Sequence, residues 1–328
     1  MTLYGDVDPG SFRYRYHTQP LGEVRLCAIS STSAPASFRL DDAPCCFVQF
    51  LLQERVKAKK IGSAFWGIGG KGIVKFCVLA SGSSGNCALL ATEKTCILVD
   101  AGLSFKELSK RLAAIGEEPG RIDAIVITHE HSDHISGLAR FTRKVPVPVY
   151  LTRLTAPSID WENATPRIES FQAGTSFAIG DIEIDSFTIP HDAIDPVGFC
   201  FRAQGVKVGL VTDLGYIPDS IKFHLRGSHV LMLESNHDLD MLKVGPYPWA
   251  VKQRVMSRNG HLANDVVGDF VRHEFDSSTA TLILGHLSEH NNHPEIVRLV
   301  AQQALDRRGL ATKLVIAGQK EATEVFQF

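Results

Sequence analysis

The sequence predicts an α/β (α+β) protein in which two sheets pack face to face with helices outside. Two observations carry this. From Val74 onward, apolar runs of strand length alternate with amphipathic stretches of helical length. Residues 167–214 alternate with period two around turn dipeptides. Each sheet must bury one face on the other and the second under helices, which gives four layers.

Taken in order, 74–80 reads as a strand and Ser81-Gly82-Ser83-Ser84-Gly85-Asn86 as a loop. Residues 87–91 and 96–99 form a hairpin turning at 92–94. Ser104 and Glu107 make a capping box, S-x-x-E, for a helix ending near Gly116. A buried strand at 123–128, a helix at 135–141 and a strand at 147–151 follow. Turns at Ala173-Gly174, Gly180-Asp181 and Gln204-Gly205 mark consecutive hairpins. Strands at 230–234 and 281–284 then alternate with helices near 217–225, 261–275 and 294–308, and a last strand lies near 313–317.

Composition excludes several classes. Lys plus Arg number 34 against 36 Asp plus Glu, a formal charge of −2, so no chain-wide cationic surface is available to hold duplex DNA by charge alone. No apolar run approaches the ~18 residues needed to span a bilayer. The seven cysteines are odd in number and show no C-x-x-C spacing, which argues against a disulfide framework and for a reducing, cytoplasmic setting. Residues 1–73 differ from the rest: nine Lys/Arg stand against six Asp/Glu, leaving 25 against 30 for residues 74–328. This stretch has no sustained period, and a basic patch there is followed by clustered glycines. It reads as a poorly structured N-terminal extension, or as upstream translation ahead of a working start at Val74.

The chemistry concentrates in Thr128-His129-Glu130-His131-Ser132-Asp133-His134, which follows an apolar strand and precedes a helix. Three imidazoles and a carboxylate within six residues suit a borderline divalent metal. The His-x-His and Asp-His pairs can point to two adjacent ions. Asp100, His191, Asp213 and His286 each close an apolar strand and would lie on the same rim.

The order Asp100, His129-x-His131-x-Asp133-His134, His191, Asp213, His286 resembles the metallo-β-lactamase-fold hydrolase superfamily over residues 74–328. The resemblance implies a four-layer αβ/βα metallo-β-lactamase sandwich with a dinuclear site for two divalent metal ions, Zn2+ or Mn2+. It implies that His129, His131 and His191 hold one ion, that Asp133, His134 and His286 hold the other, and that Asp213 bridges. Asp100 would fix an imidazole from behind. The stretches Lys75 to Cys87, Glu234-Ser235-Asn236-His237-Asp238, Gly260-His261-Leu262-Ala263-Asn264 and Gly285 to Asn292 resemble the YycJ/WalJ-type subgroup, in the RNase Z-like phosphodiesterase branch. That subgroup implies a metal-dependent 5′–3′ exonuclease acting on single-stranded DNA through a metal-bound hydroxide.

Within that reading, Asp133 or Asp213 orients the nucleophile and His261 gives a proton to the leaving oxygen. Ser83, Asn86, His237 and His290 are candidate substrate contacts, and Lys243, Lys252, Arg254 and Arg258 a candidate cationic track. Trp249 reads as a packing residue. A small cyclic phosphodiester, or a thioester or lactone, is the alternative substrate for the same ligand set. A fold that had lost its chemistry is disfavoured because every ligand position is filled.

Overall fold

Alternation along β3 (Lys75–Ala80) sets the layer order: Phe76 and Val78 enter one core, Cys77 and Leu79 another. The strand is therefore apolar on both faces. The same parity holds in β13 (Val230–Glu234), where Val230 and Met232 meet the first core and Leu231 and Leu233 a third. The computed structural model describes residues 72–328 and, separately, a two-stranded antiparallel ribbon of β1 (Arg15–Thr18) and β2 (Val24–Cys27). The expectation for residues 1–73 otherwise lies outside the described residues.

Two seven-stranded mixed sheets form the sandwich. The first begins with β3, β4 (Cys87–Ala91) and β5 (Cys96–Val99), which run antiparallel. It continues in parallel through β6 (Ala124–Val126), β7 (Val149–Thr152) and β8 (Ile168–Phe171). The second opens with β9 (Ser176–Ile179), β10 (Ile182–Thr188), β11 (Val197–Ala203) and β12 (Val206–Val211), all antiparallel. It ends in parallel with β13, β14 (Thr281–Gly285) and β15 (Lys313–Ile316). The last strand, β16 (Phe326–Gln327), returns to the first sheet beside β3.

Parallel neighbours need crossovers, and helices supply most of them. α1 (Phe105–Ala114) and the pair α2 (Ser132–Ile135) and α3 (Leu138–Lys144) cover the first sheet. α1 starts as the capping box requires, with Ser104 Oγ accepting from Glu107 N at 3.3 Å. α4 (Asp219–Leu225), α7 (Asn264–His273) and α8 (Pro294–Arg307) cover the second sheet, and α5 (Leu239–Val244) and α6 (Trp249–Val255) lie between β13 and α7. No helix among the described residues is long and apolar enough to cross a membrane.

Three expectations need correction. The turn at Ala173-Gly174 is the crossing from the first sheet to the second, not a hairpin, because β8 pairs with β7 and β9 with β10. The helix expected at 135–141 is two short helices broken at Ser136-Gly137, where Gly137 N is turned to donate to Ala101 O at 2.9 Å. α5 and α6 have no counterpart among the expected helices, since Gly245-Pro246-Tyr247-Pro248 interrupts any period between them.

Candidate metal centre

Five strand ends deliver the site. Asp100 follows β5, the 128–134 loop follows β6, His191 follows β10, Asp213 follows β12 and His286 follows β14. Asp100, Asp213 and His286 have φ of 61°, 60° and 53°, in the left-handed region. Asp and His tolerate that region better than most side chains, and the turn swings each one off its strand toward the common rim.

Backbone hydrogen bonds braid the loops together. Asn86 N donates to Asp133 O at 2.7 Å, Gly102 N to Asn86 O at 2.9 Å and Ala101 N to His134 O at 2.8 Å. Glu130 Oε1 accepts from Ile194 N at 2.8 Å, tying the His191 loop to the His129–His134 loop.

The side chains gather into four overlapping groups with ligand atoms within 4.8 Å of one another: His129, His131 and His191; Asp133, His134 and His286; His129, His134 and Asp213; and Asp213, Glu234, His261 and His286. Four of the imidazoles are oriented from behind by acceptors at Nδ1. Asp100 Oδ2 lies 2.7 Å from His134 Nδ1, and Glu234 Oε1 lies 2.8 Å from His286 Nδ1. The Gly260 carbonyl lies 3.3 Å from His191 Nδ1. Thr128 Oγ1 donates to Asp100 at 2.9 Å and so accepts from His129 Nδ1 at 3.0 Å. Each ring thus carries a proton on Nδ1 and turns Nε2 inward. His129 Nε2 and Asp213 Oδ2 are buried with no hydrogen-bond partner among the described residues. His191 Nε2 stands 3.2 Å from His131 Nδ1.

Electrostatics point the same way. Burial drives His129 well below the usual imidazole range. Burial acts likewise on His134, but Asp213 and Asp100 outweigh it and lift the ring to about 10. His286 rises well above its usual value against its burial, under the pull of Asp213, Asp133 and Glu234. Burial would raise Glu234, yet His261 and His286 draw it down to about 2. The carboxylates therefore demand positive charge, which protons on His134 and His286 satisfy here. A divalent ion would meet the same demand at the same Nε2 atoms and release those protons. The donor set fits such an ion.

A family model described as a beta-lactamase superfamily domain matches residues 95–286. Exodeoxyribonuclease YycJ of Bacillus anthracis is 37% identical over 237 residues, spanning 71% of this chain and 90% of that protein. The chain belongs to the beta-lactamase superfamily and, within it, to the YycJ/WalJ family. Exodeoxyribonuclease WalJ of Streptococcus pneumoniae is 36% identical over 241 residues, covering 72% of this chain and 90% of that relative. The metallo-β-lactamase-fold protein YhfI of Bacillus subtilis shares the superfamily fold with a TM-score of 0.61 at 18% identity, covering 79% of this chain and all of that one.

An open cleft of about 370 Å³ lies over this YycJ/WalJ-family site, with Ser83, Asp133, Asp213, Arg254, His261 and His286 among its walls. Ser83 lines this cleft. Asn86 is not at the cleft: its Nδ2 donates to Asp133 Oδ2 at 2.9 Å and its Oδ1 accepts from Gly82 N at 2.8 Å, so it positions Asp133. His237 is 1 % exposed and faces inward, where burial lowers it to about 4. His290 is exposed outside the cleft beside Tyr247, ring centroids 6.0 Å apart. Of the basic track, Lys252 is buried with its ammonium on Lys243 O at 2.7 Å, and Lys243 pairs with Asp240. Arg254 remains in the cleft, ion-paired with Asp192, and Arg258 lies 4.1 Å over the Tyr216 ring. Trp249 is 62 % exposed, so it is not a packing residue. Sequence reasoning assigned no role to Glu234, although a lone carboxylate ending the apolar run VLMLE is a visible signal.

Proposed function

We propose that this chain is a 5′–3′ exodeoxyribonuclease acting on single-stranded DNA, with two divalent ions, zinc or manganese, held by His129, His131, Asp133, His134, His191, Asp213 and His286. The observation that carries the metal reading is the set of four imidazoles locked at Nδ1 with Nε2 turned to common points. The nucleic-acid reading is supported by the two relatives named exodeoxyribonucleases. When bound, such ions polarise a phosphodiester and activate water.

The chain's own residues supply the rest. Asp133, steadied by Asn86, and Asp213 set the direction of attack. His261 stands with Nδ1 2.7 Å from Glu234 Oε1 and lines the cleft. Glu234 keeps a proton on Nδ1 and orients the ring, so Nε2 can pass its proton to the leaving oxygen. Arg254 offers a bidentate partner to a phosphate oxygen pair. The cleft wall is dominated by Ser83, Ser132, Asn236 and charged groups, which suits a phosphodiester better than an acyl chain.

The test is the full chain, loaded with manganese or zinc, on end-labelled single-stranded DNA with Asp213→Asn as the blank. Stepwise loss from the 5′ end, absent in the blank, is expected. Hydrolysis of thioesters or cyclic phosphodiesters without cleavage of DNA would overturn the reading.

A further inference from the structure

A second cavity, about 620 Å³, opens beside the metal cleft and has no role in the reading above. The two share Ser288, and the loop carrying Ser83 and Ser84 divides them, Ser83 facing the cleft and Ser84 the cavity. We propose that this cavity seats an unpaired nucleobase of the strand whose phosphodiester lies in the metal cleft; the proposal rests on the nuclease reading.

The chemistry of the walls selects that occupant. Leu287, Pro294 and Ala317 give it an apolar surface. Its polar groups are largely satisfied within the protein. Asn292 Nδ2 donates to Ser235 O and Asn236 O at 2.9 and 2.8 Å, and its Oδ1 accepts from Asn264 Nδ2 at 2.9 Å. Ser84 Oγ donates to Gln319 Oε1 at 2.6 Å, and Gln319 Nε2 donates to Leu287 O at 3.0 Å. The charged walls are Glu289 and Glu321 against Lys320, a net negative mouth. A phosphate would be repelled there and drawn to the metal cleft. A base, flat and mostly apolar with a few polar edge atoms, suits walls of this kind. The volume lies within the range of small-ligand sites. One free edge remains on Gln319, whose amide keeps a hydrogen beyond the bond to Leu287 O. The cavity would thus let the enzyme sense whether the nucleotide flanking the cut is unpaired, because a base still in a duplex cannot leave its stack without a cost.

The test pairs an altered substrate with an altered protein. Single-stranded 12-mers carrying one abasic nucleotide, scanned along the 5′ end, are cleaved by the full-length wild type and by Gly318→Phe. Gly318 lines the cavity, and a Cβ there meets nothing within 4 Å, so the ring fills space rather than displacing backbone. In the wild type, one abasic position is expected to lower kcat/KM by roughly 10- to 100-fold, the scale of losing one buried apolar group of that size. Gly318→Phe is expected to lose a similar factor on the intact 12-mer and to become nearly blind to that abasic position. Equilibrium binding of the same oligonucleotides should show the same pattern, and Gly318→Ala should behave as wild type. The wild-type scan stands even where Gly318→Phe fails to fold, which its thermal unfolding reveals. Cleavage that ignores every abasic position, or a Gly318→Phe variant that keeps full discrimination, overturns the cavity assignment and leaves the nuclease reading intact. A wild type that cleaves no oligonucleotide overturns both.

Discussion

Replacing Gly102 by alanine should disable the site without touching a candidate ligand. Gly102 lies where the β3–β4 loop, the β5–α1 loop and the His129–His134 loop cross. Its N donates to Asn86 O and its carbonyl accepts from Ser136 Oγ at 2.6 Å. A Cβ there would overlap the Asp133 carbonyl, more than 1 Å short of the 3.0 Å closest approach, and would sit 2.7 Å from Asn86 N. Both obstacles are backbone, so no rotamer relieves the clash and the loops must part by about 1 Å. Site geometry tolerates about 0.5 Å, and a displacement near 1 Å typically costs roughly 100-fold in rate. Overpacking of this kind also lowers stability by about 1–3 kcal/mol. Gly120→Ala is the control, since a Cβ there meets nothing within 4 Å. Metal content by mass spectrometry, thermal unfolding and phosphodiester turnover are measured on all three proteins. A Gly102→Ala variant with wild-type metal content and turnover would refute the argument that this crossing holds Asp133 in place.

Asp213→Asn keeps the side-chain shape but removes the one carboxylate charge that both His134 and His286 answer, so bound metal per chain is expected to fall in elemental analysis and turnover to drop by at least about 100-fold. His261→Gln should slow cleavage of DNA by roughly 100-fold or more while slowing bis(p-nitrophenyl) phosphate far less, because nitrophenolate leaves without a proton; equal losses on both substrates would remove His261 as the donor. The thiols of Cys77, Cys87, Cys96 and Cys200 are buried, and burial lifts Cys96 to about 12 and Cys200 to about 11. Peptide mapping after iodoacetamide at pH 8 should find these four unmodified in the folded protein and modified in guanidinium.

Much of this was legible in the chain because the signals were local. Strands bounded by glycine turns carry their own period, and a cluster such as His129 to His134 advertises its chemistry within six residues. What stayed hidden depends on pairing across the fold. Ala173-Gly174 looks the same whether the next strand pairs with its predecessor or joins another sheet. Asn86 and His237 are polar residues near loops, and only packing decides that one supports Asp133 and the other faces inward. Glu234 shows the limit most clearly. Its role comes from His261 and His286, which lie 27 and 52 residues further on and meet at one carboxylate oxygen.

The left-handed backbone at Asp100, Asp213 and His286 constrains how this protein can change over generations. A residue with a bulky or branched Cβ at any of the three would break the strand end as well as the chemistry, so such a change is removed as a folding failure. Asparagine and glycine are the exits that leave the backbone intact. A descendant that drifted into a catalytically silent scaffold would therefore be expected to carry Asn or Gly at these three positions, while ordinary positions such as His129, free of that constraint, could accept a wider set of replacements.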